Sequence, residues 1–416
     1  MKVLHINQSD ISGGAAIAGY RLHQGLLGQG ADSRLLVWRL KTSSDRVDSA
    51  PRLPILDKLT APITQQLGLY YINKLGTFNI PKHSFYKNAD VLNFHVLHGA
   101  SSGFFNYLAI PSLTKRKPAV FTFHDMWSFT GHCAYSYECD RWKSGCGKCP
   151  DLDTYPAIPK DNTHIEWKLK NWAYSHSNLT IVTPSRWLCE QAKQSMLNRF
   201  GIHHIPYGIN TEVYQPLESK QCKSVLGIPT SKKVLMFAAT NLAENRKGGD
   251  LLLKALQSLP QSLKAETVVL TFGSGGETIA ETVGMPALNL GYASNDRFKA
   301  IAYSAADLFL FPTRADNLPL VLQESMACGT PMVSFKIGGV PDLVRPGITG
   351  YLAQPEDIQD FCNGIVQLLE DKHLRESMAQ QCRAIALEEY SLELQAQRYI
   401  DLYHQVLQNN SAAPRE

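Results

Sequence analysis

Two stretches of this 416-residue chain hold side chains suited to gripping phosphate and sugar hydroxyls. Arg246 and Lys247 follow an apolar run, Val234–Ala238, at the start of a helix-like segment. Asp316, Asn317, Leu318, Leu320 and Glu324 follow a second run, Leu308–Phe311, and lead into another. Cations at a helix N-terminus stabilise phosphate charge, and carboxylates accept paired hydrogen bonds from ribose or sugar hydroxyls. If Asp316 caps its helix, Glu324 lies about two turns further on, toward the same side; the plainer account is one cap and one surface acid. Two glycine loops, Gly13-Gly14 and Gly273-Ser274-Gly275-Gly276, also come directly after strand-like runs. Such glycines let a backbone approach a phosphate, or simply make a tight turn. His124-Asp125 ends the run Ala119–Phe123, where an imidazole handles a proton or serves structure.

Cys133, Cys139, Cys146 and Cys149 form a separate cluster containing the knuckle Cys146-Gly147-Lys148-Cys149. Four thiolates at this spacing suit a structural zinc, with an iron–sulfur centre or unligated redox cysteines as alternatives and His132 as a substitute ligand. Nine cysteines in all, with no leader-like start at Met1-Lys2-Val3-Leu4-His5, fit a reducing cytosol better than a disulfide framework. Two further patterns read as decoys. Gly99-Ala100-Ser101-Ser102-Gly103 matches G-x-S-x-G without an oxyanion motif, and Asp151-Leu152-Asp153 sits in a proline-rich loop and not after a strand.

The elements that must carry these residues are short, continuous apolar runs alternating with amphipathic stretches. Val3–Ile6, Arg34–Val37, Val91–Val96, Ala119–Phe123, Leu179–Val182 and His203–Ile205 form one set. Val234–Ala238, Thr267–Phe272, Ala287–Leu290, Leu308–Phe311, Met332–Phe335 and Gly350–Leu352 form a second. This is how strands buried on both faces of parallel sheets read, so the expectation is α/β architecture with two Rossmann-like doubly wound domains. The domains are placed at 1–206, with a cysteine-rich insertion at 131–150, and at 207–390. A last helix at 391–416 could pack on either, the N-terminal domain included. Residues 51–80 form an insertion whose apolar side chains cover a core or touch a membrane. At 44% hydrophobic and 19% charged the chain is globular, and a net charge of +4 is too small to argue for nucleic acid. No apolar run approaches the ~18 residues that span a bilayer.

The ordered block Asp316-Asn317-Leu318-Pro319, Glu324-Ser325-Met326-Ala327-Cys328-Gly329-Thr330-Pro331 and Gly338-Gly339-Val340-Pro341-Asp342 resembles the signature of glycosyltransferase family 4. These are the retaining group 1 sugar-nucleotide transferases of GT-B fold, two Rossmann-like domains facing a central cleft. The resemblance extends through Gly13-Gly14, His124, Arg246-Lys247-Gly248 and Gly273. It implies that Lys247 and Arg246 bind a donor diphosphate, that Glu324 binds the ribose, and that Asp316 with the amides of Asn317, Leu318 and Leu320 holds the transferred sugar and phosphate. Gly14 would face the diphosphate and His124 the sugar. It further implies a UDP- or GDP-linked donor, a saccharide or lipid-linked acceptor, no catalytic metal, and a place in polysaccharide biosynthesis in the cytoplasm or at the inner membrane face. The chain departs from the family at Asp316, usually Glu, at Asn241, usually Arg, and at Asn210, usually Asp. A sugar-nucleotide epimerase of the same fold and a non-catalytic sugar-nucleotide-binding subunit are the alternatives.

Overall fold

The computed structural model describes residues 1–99, 104–241, 244–276 and 279–412. The chain divides into two compact units, Met1–Gly208 joined by Glu393–Glu416, and Ile209–Leu392.

The first unit is built on a seven-stranded parallel sheet in the order β3-β2-β1-β4-β5-β6-β7. Its strands are β1 (Lys2–Ser9), β2 (Asp32–Arg39), β3 (Val47–Ser49), β4 (Val91–Phe94), β5 (Ala119–Thr122), β6 (Leu179–Thr183) and β7 (Ile202–His204). Every residue of β4 and β5 is buried, as central strands covered on both faces require. The short edge strand β3, three residues of which two are exposed, left no apolar run to find in the sequence.

The C-terminal helix Leu392–Ala412 lies on this sheet. Ala396, Tyr399, Leu402, Tyr403 and Val406 are buried with Val3, Leu22, Val91, Val120 and Val182. Its two buried tyrosines reach polar groups on the strands. Asn93 Nδ2 donates to Tyr403 Oη at 2.7 Å, and Thr122 Oγ1 stands 2.9 Å from Tyr399 Oη. A helix with such matched hydroxyls is fixed in register, because each buried polar atom left unmet costs roughly 1–3 kcal/mol.

The second unit holds a six-stranded parallel sheet ordered β10-β9-β8-β11-β12-β13. Its strands are β8 (Lys233–Asn241), β9 (Thr267–Ser274), β10 (Ala287–Asn289), β11 (Leu308–Phe311), β12 (Met332–Phe335) and β13 (Gly350–Ala353). Both sheets therefore reverse their winding once, at β1/β4 and at β8/β11. A doubly wound sheet opens a crevice at the carboxyl ends of the strands flanking such a reversal.

The 51–80 insertion splits in two. Tyr71 and Ile80 enter the first unit's core. The helix Pro54–Gln66, however, has no buried residue, and Ile55, Leu56, Leu59 and Ile63 are all exposed. Among the described residues, no helix is long and apolar enough to cross a membrane.

Candidate functional site

At the β8/β11 reversal the loops that follow the two strands are tied together. Beyond β8 a short 3-10 turn, Asn245–Lys247, runs into the helix Gly249–Gln257. Between them Gly248 sits at φ +70, where a Cβ would collide with the Pro312 carbonyl oxygen at the end of β11. Glycine is thus what allows the two loops to touch. The Arg246 carbonyl then accepts from Arg314 N at 2.8 Å and from Thr313 Oγ1 at 3.0 Å.

This stitching brings both cations onto one carboxylate. Asp316 Oδ2 lies 2.6 Å from Lys247 Nζ and 3.2 Å from Arg246 Nη1, while Oδ1 accepts from Asn317 N. The Asp316 carbonyl accepts from Gly339 N, and Gly338 has no room for a Cβ against it. Burial alone would raise the Asp316 carboxyl, but Lys247 and Arg246 outweigh it and hold the group below the usual carboxylate range. Burial also pulls the Lys247 ammonium below the ordinary lysine range, against the opposing pull of Asp316. Asp316, Asn317 and Leu318 are buried and Leu320 half-buried.

Asp316 does not cap the helix. That helix runs Leu320–Ala327 with Pro319 at its N-cap, so the carboxylate is spent on the cations instead. Glu324 lies on the helix's second turn, 4% exposed, and takes a hydrogen bond from Tyr303 Oη at 3.2 Å, with Lys299 Nζ 3.9 Å away. It is a buried acid and not the surface one of the plainer account. Gly273, at φ +117 on the end of the adjacent β9, donates its N–H to Gly291 O at 2.9 Å. Asn241 ends β8 and is exposed.

In the first unit, Gly13 is the N-cap of the helix Gly14–Gly28, and a Cβ on either glycine would meet nothing within 4 Å. Open space therefore lies in front of that helix's N-terminus. Across the β1/β4/β5 edge runs a row of buried rings that the sequence reading missed apart from His124. His5 Nδ1 is 2.9 Å from His95 Nε2, His95 Nδ1 is 3.1 Å from His124 Nε2, and Tyr207 Oη is 2.6 Å from His124 Nδ1. Burial holds His5 and His95 well below the usual imidazole range and His124 down to about 4. Beside them, His98 Nε2 meets Asp125 Oδ2 at 2.9 Å. The signal was legible in principle: three histidines stand on or just after three strands that become neighbours.

Cys133, Cys139, Cys146 and Cys149 share one loop, close enough that Cys133 feels the other three thiols. Among the described residues no group of three or more His, Cys, Asp and Glu could hold an ion. Other bonds hold their sulfurs: Cys146 Sγ accepts from Gly131 N at 3.2 Å, and Cys149 Sγ lies 3.2 Å from His132 Nε2 and 3.3 Å from Asp151 O. Burial pushes the Cys133 and Cys146 thiols up, to about 12 and about 11. Asp151 accepts from Asp153 N and from Thr154, closing an exposed turn on itself. The serine of the G-x-S-x-G pattern lies outside the described residues.

Two doubly wound parallel sheets, one with a basic pair and buried acids at its reversal point, are the architecture of the GT-B fold. Comparison with known proteins agrees. A family model described as "Glycosyl transferases group 1" matches residues 219–384, and one described as "Glycosyltransferase Family 4" matches residues 12–213. The chain belongs to the group 1 glycosyltransferases of family 4. It is 28% identical over 357 residues to WcaC from Escherichia coli (strain K12), named for colanic acid biosynthesis, covering 80% of this chain and 83% of that one. Sucrose-phosphate synthase from Thermosynechococcus elongatus matches in structure with a TM-score of 0.71 at 16% identity, over 98% of this chain and all of the other. WaaG, a glycosyltransferase involved in lipopolysaccharide biosynthesis, matches at 0.68 and 17% identity, over 96% and 99%. Anabaena HepE in complex with UDP and glucose matches at 0.65 and 16% identity, over 97% and 100%.

Proposed function

We propose that the chain moves a sugar from a nucleoside-diphosphate donor, uridine-linked before guanosine-linked, onto a saccharide or lipid-linked saccharide with retention of configuration, in surface polysaccharide assembly. The observation that carries this reading is the half-buried Arg246–Lys247 pair converging on the buried Asp316 at the β8/β11 reversal. Breaking the bond between sugar and diphosphate loads negative charge onto the departing phosphate. Two cations already held in place, in a site largely closed to water, stabilise that charge without reorganising. Asp316 keeps the pair together in the free protein; the diphosphate then takes over as their counter-ion. Glu324, oriented by Tyr303, accepts the ribose hydroxyls, and Gly13-Gly14 and His124 serve the phosphate and sugar. HepE, with UDP and glucose in its complex, favours a uridine donor here.

The test is a panel of nucleotide sugars. UDP and one UDP-sugar should raise the melting temperature and release UDP when an acceptor is present. Lys247→Ala should abolish the shift and lower transfer by about 100-fold or more, with circular dichroism unchanged. Stabilisation by no nucleotide in the panel would refute the reading.

The exposed Ile55, Leu56, Leu59 and Ile63 on one helix, flanked by Arg52 and Lys58, support a peripheral seat on an anionic membrane at its cytoplasmic face. A lipid-linked acceptor would be met there.

A further inference from the structure

We propose that His95 is a positioning residue that fixes His124 in the Nδ1-protonated tautomer, so that His124 works as a hydrogen-bond donor and not as a general base. This rests on the reading above in one respect, that His124 faces the transferred sugar. The geometry itself is independent of it. His5, His95 and His124 come from β1, from the residue just past β4 and from the second residue past β5, strands that are neighbours in the sheet. Each links to the next through ring nitrogens at 2.9 and 3.1 Å, and the row ends on Tyr207 Oη at 2.6 Å. The rings are 0%, 2% and 8% exposed, so bulk water does not substitute for these partners.

A neutral imidazole has one N–H and one lone pair. Three of them in series must therefore all point the same way, and choosing the tautomer of one chooses all three. The free end decides the direction. His5 Nε2 is buried and has no hydrogen-bond partner among the described residues. Buried N–H groups without an acceptor are the rarer kind of orphan, so that atom carries the lone pair and His5 Nδ1 the proton. His5 Nδ1–H then donates to His95 Nε2, His95 Nδ1–H donates to His124 Nε2, and His124 Nδ1–H donates to Tyr207 Oη. Burial, which keeps all three rings uncharged near neutral pH, is consistent with this order. The lone pair of His124 is occupied by His95, which removes it from base chemistry. Its remaining N–H is the group that can pass from Tyr207 to a sugar oxygen.

The experiment uses the full chain with selectively 15N-labelled histidine, and compares wild type with His95→Leu and His95→Gln. Glutamine carries one donor and one acceptor and can replace both contacts; leucine replaces neither. Expected is a His124 signal protonated at Nδ1 in wild type and a mixture of tautomers in His95→Leu. The leucine variant should lose about tenfold or more in kcat with the donor KM within about twofold, and glutamine should recover most of the loss. UDP stabilisation should be the same in all three. Nε2-protonated His124 in wild type overturns the proposal, even if His95→Leu fails to fold. So does a leucine variant with wild-type kcat. Absent UDP binding in wild type would instead sink the functional reading and leave the tautomer result standing.

Discussion

At the scale of single residues, Asp316 is the side chain on which the proposed donor site turns. It shields two half-buried cations from each other, Lys247 Nζ at 2.6 Å and Arg246 Nη1 at 3.2 Å. Removing one member of such a pair leaves uncompensated charge, which costs roughly 3 kcal/mol or more when buried. Asp316→Asn should therefore lower stability in urea by about that amount. Because a diphosphate restores the missing negative charge, UDP should stabilise the variant more than it stabilises wild type. Equal stabilisation of both would mean that the phosphate binds elsewhere. The family's usual Glu is one methylene longer than this Asp. The short side chain draws Lys247 and Arg246 in close, and Arg246 supplies a second cation near a position where Asn241 is neutral.

At the scale of elements, two segments show what local pattern does and does not decide. The helix Pro54–Gln66 has an apolar stripe that periodicity alone would send to a core, yet none of its residues is buried. Leu59→Glu combined with Ile63→Glu should cut sedimentation with phosphatidylglycerol vesicles by at least about fivefold, since each change trades apolar area for a charge repelled by the lipid. UDP stabilisation should not move. Retained vesicle binding would remove the membrane role from this helix. The cysteine loop is a second case. Spacing brought four thiols into one loop, where Gly131 N–H donates to the Cys146 sulfur and Cys149 Sγ meets the His132 Nε2 lone pair. Metal analysis decides between the two: one equivalent of zinc in the purified chain would show that the four thiols close on an ion, and none would leave them as hydrogen-bonded thiols.

At the scale of the whole molecule, the buried histidines divide the two units by their response to acid. His124 has its pKa lowered to about 4, against the ordinary 6.5. Between those values the unfolded chain binds more protons than the folded one, so stability rises with pH there and is lost on acidification, by roughly 3 kcal/mol for this ring at most. His23, also lowered to about 4, and His5 and His95, held well below the usual imidazole range by burial, act in the same direction. Asp316, in the second unit, is depressed, so its contribution holds above the ordinary carboxyl value and fades only at lower pH. All six tryptophans, Trp38, Trp127, Trp142, Trp167, Trp172 and Trp187, lie in the first unit. Tryptophan-detected melting should consequently fall more steeply from pH 6.5 to 4.5 than melting followed by circular dichroism. Coincident curves would show that the rings do not carry this load. By itself, the sequence determined which runs become strands, that they form two parallel sheets, and that the motif holding Asp316 and Glu324 is that of a group 1 glycosyltransferase. Those follow from local apolarity and one ordered motif, both of which survive in a linear string. Only the tertiary structure decided what Asp316 binds, where the last helix docks, which apolar stripe stays in water, and that His5 and His95 stand behind His124. Each of these depends on which distant strands become neighbours, and that is settled when the sheet closes and its buried polar atoms find partners.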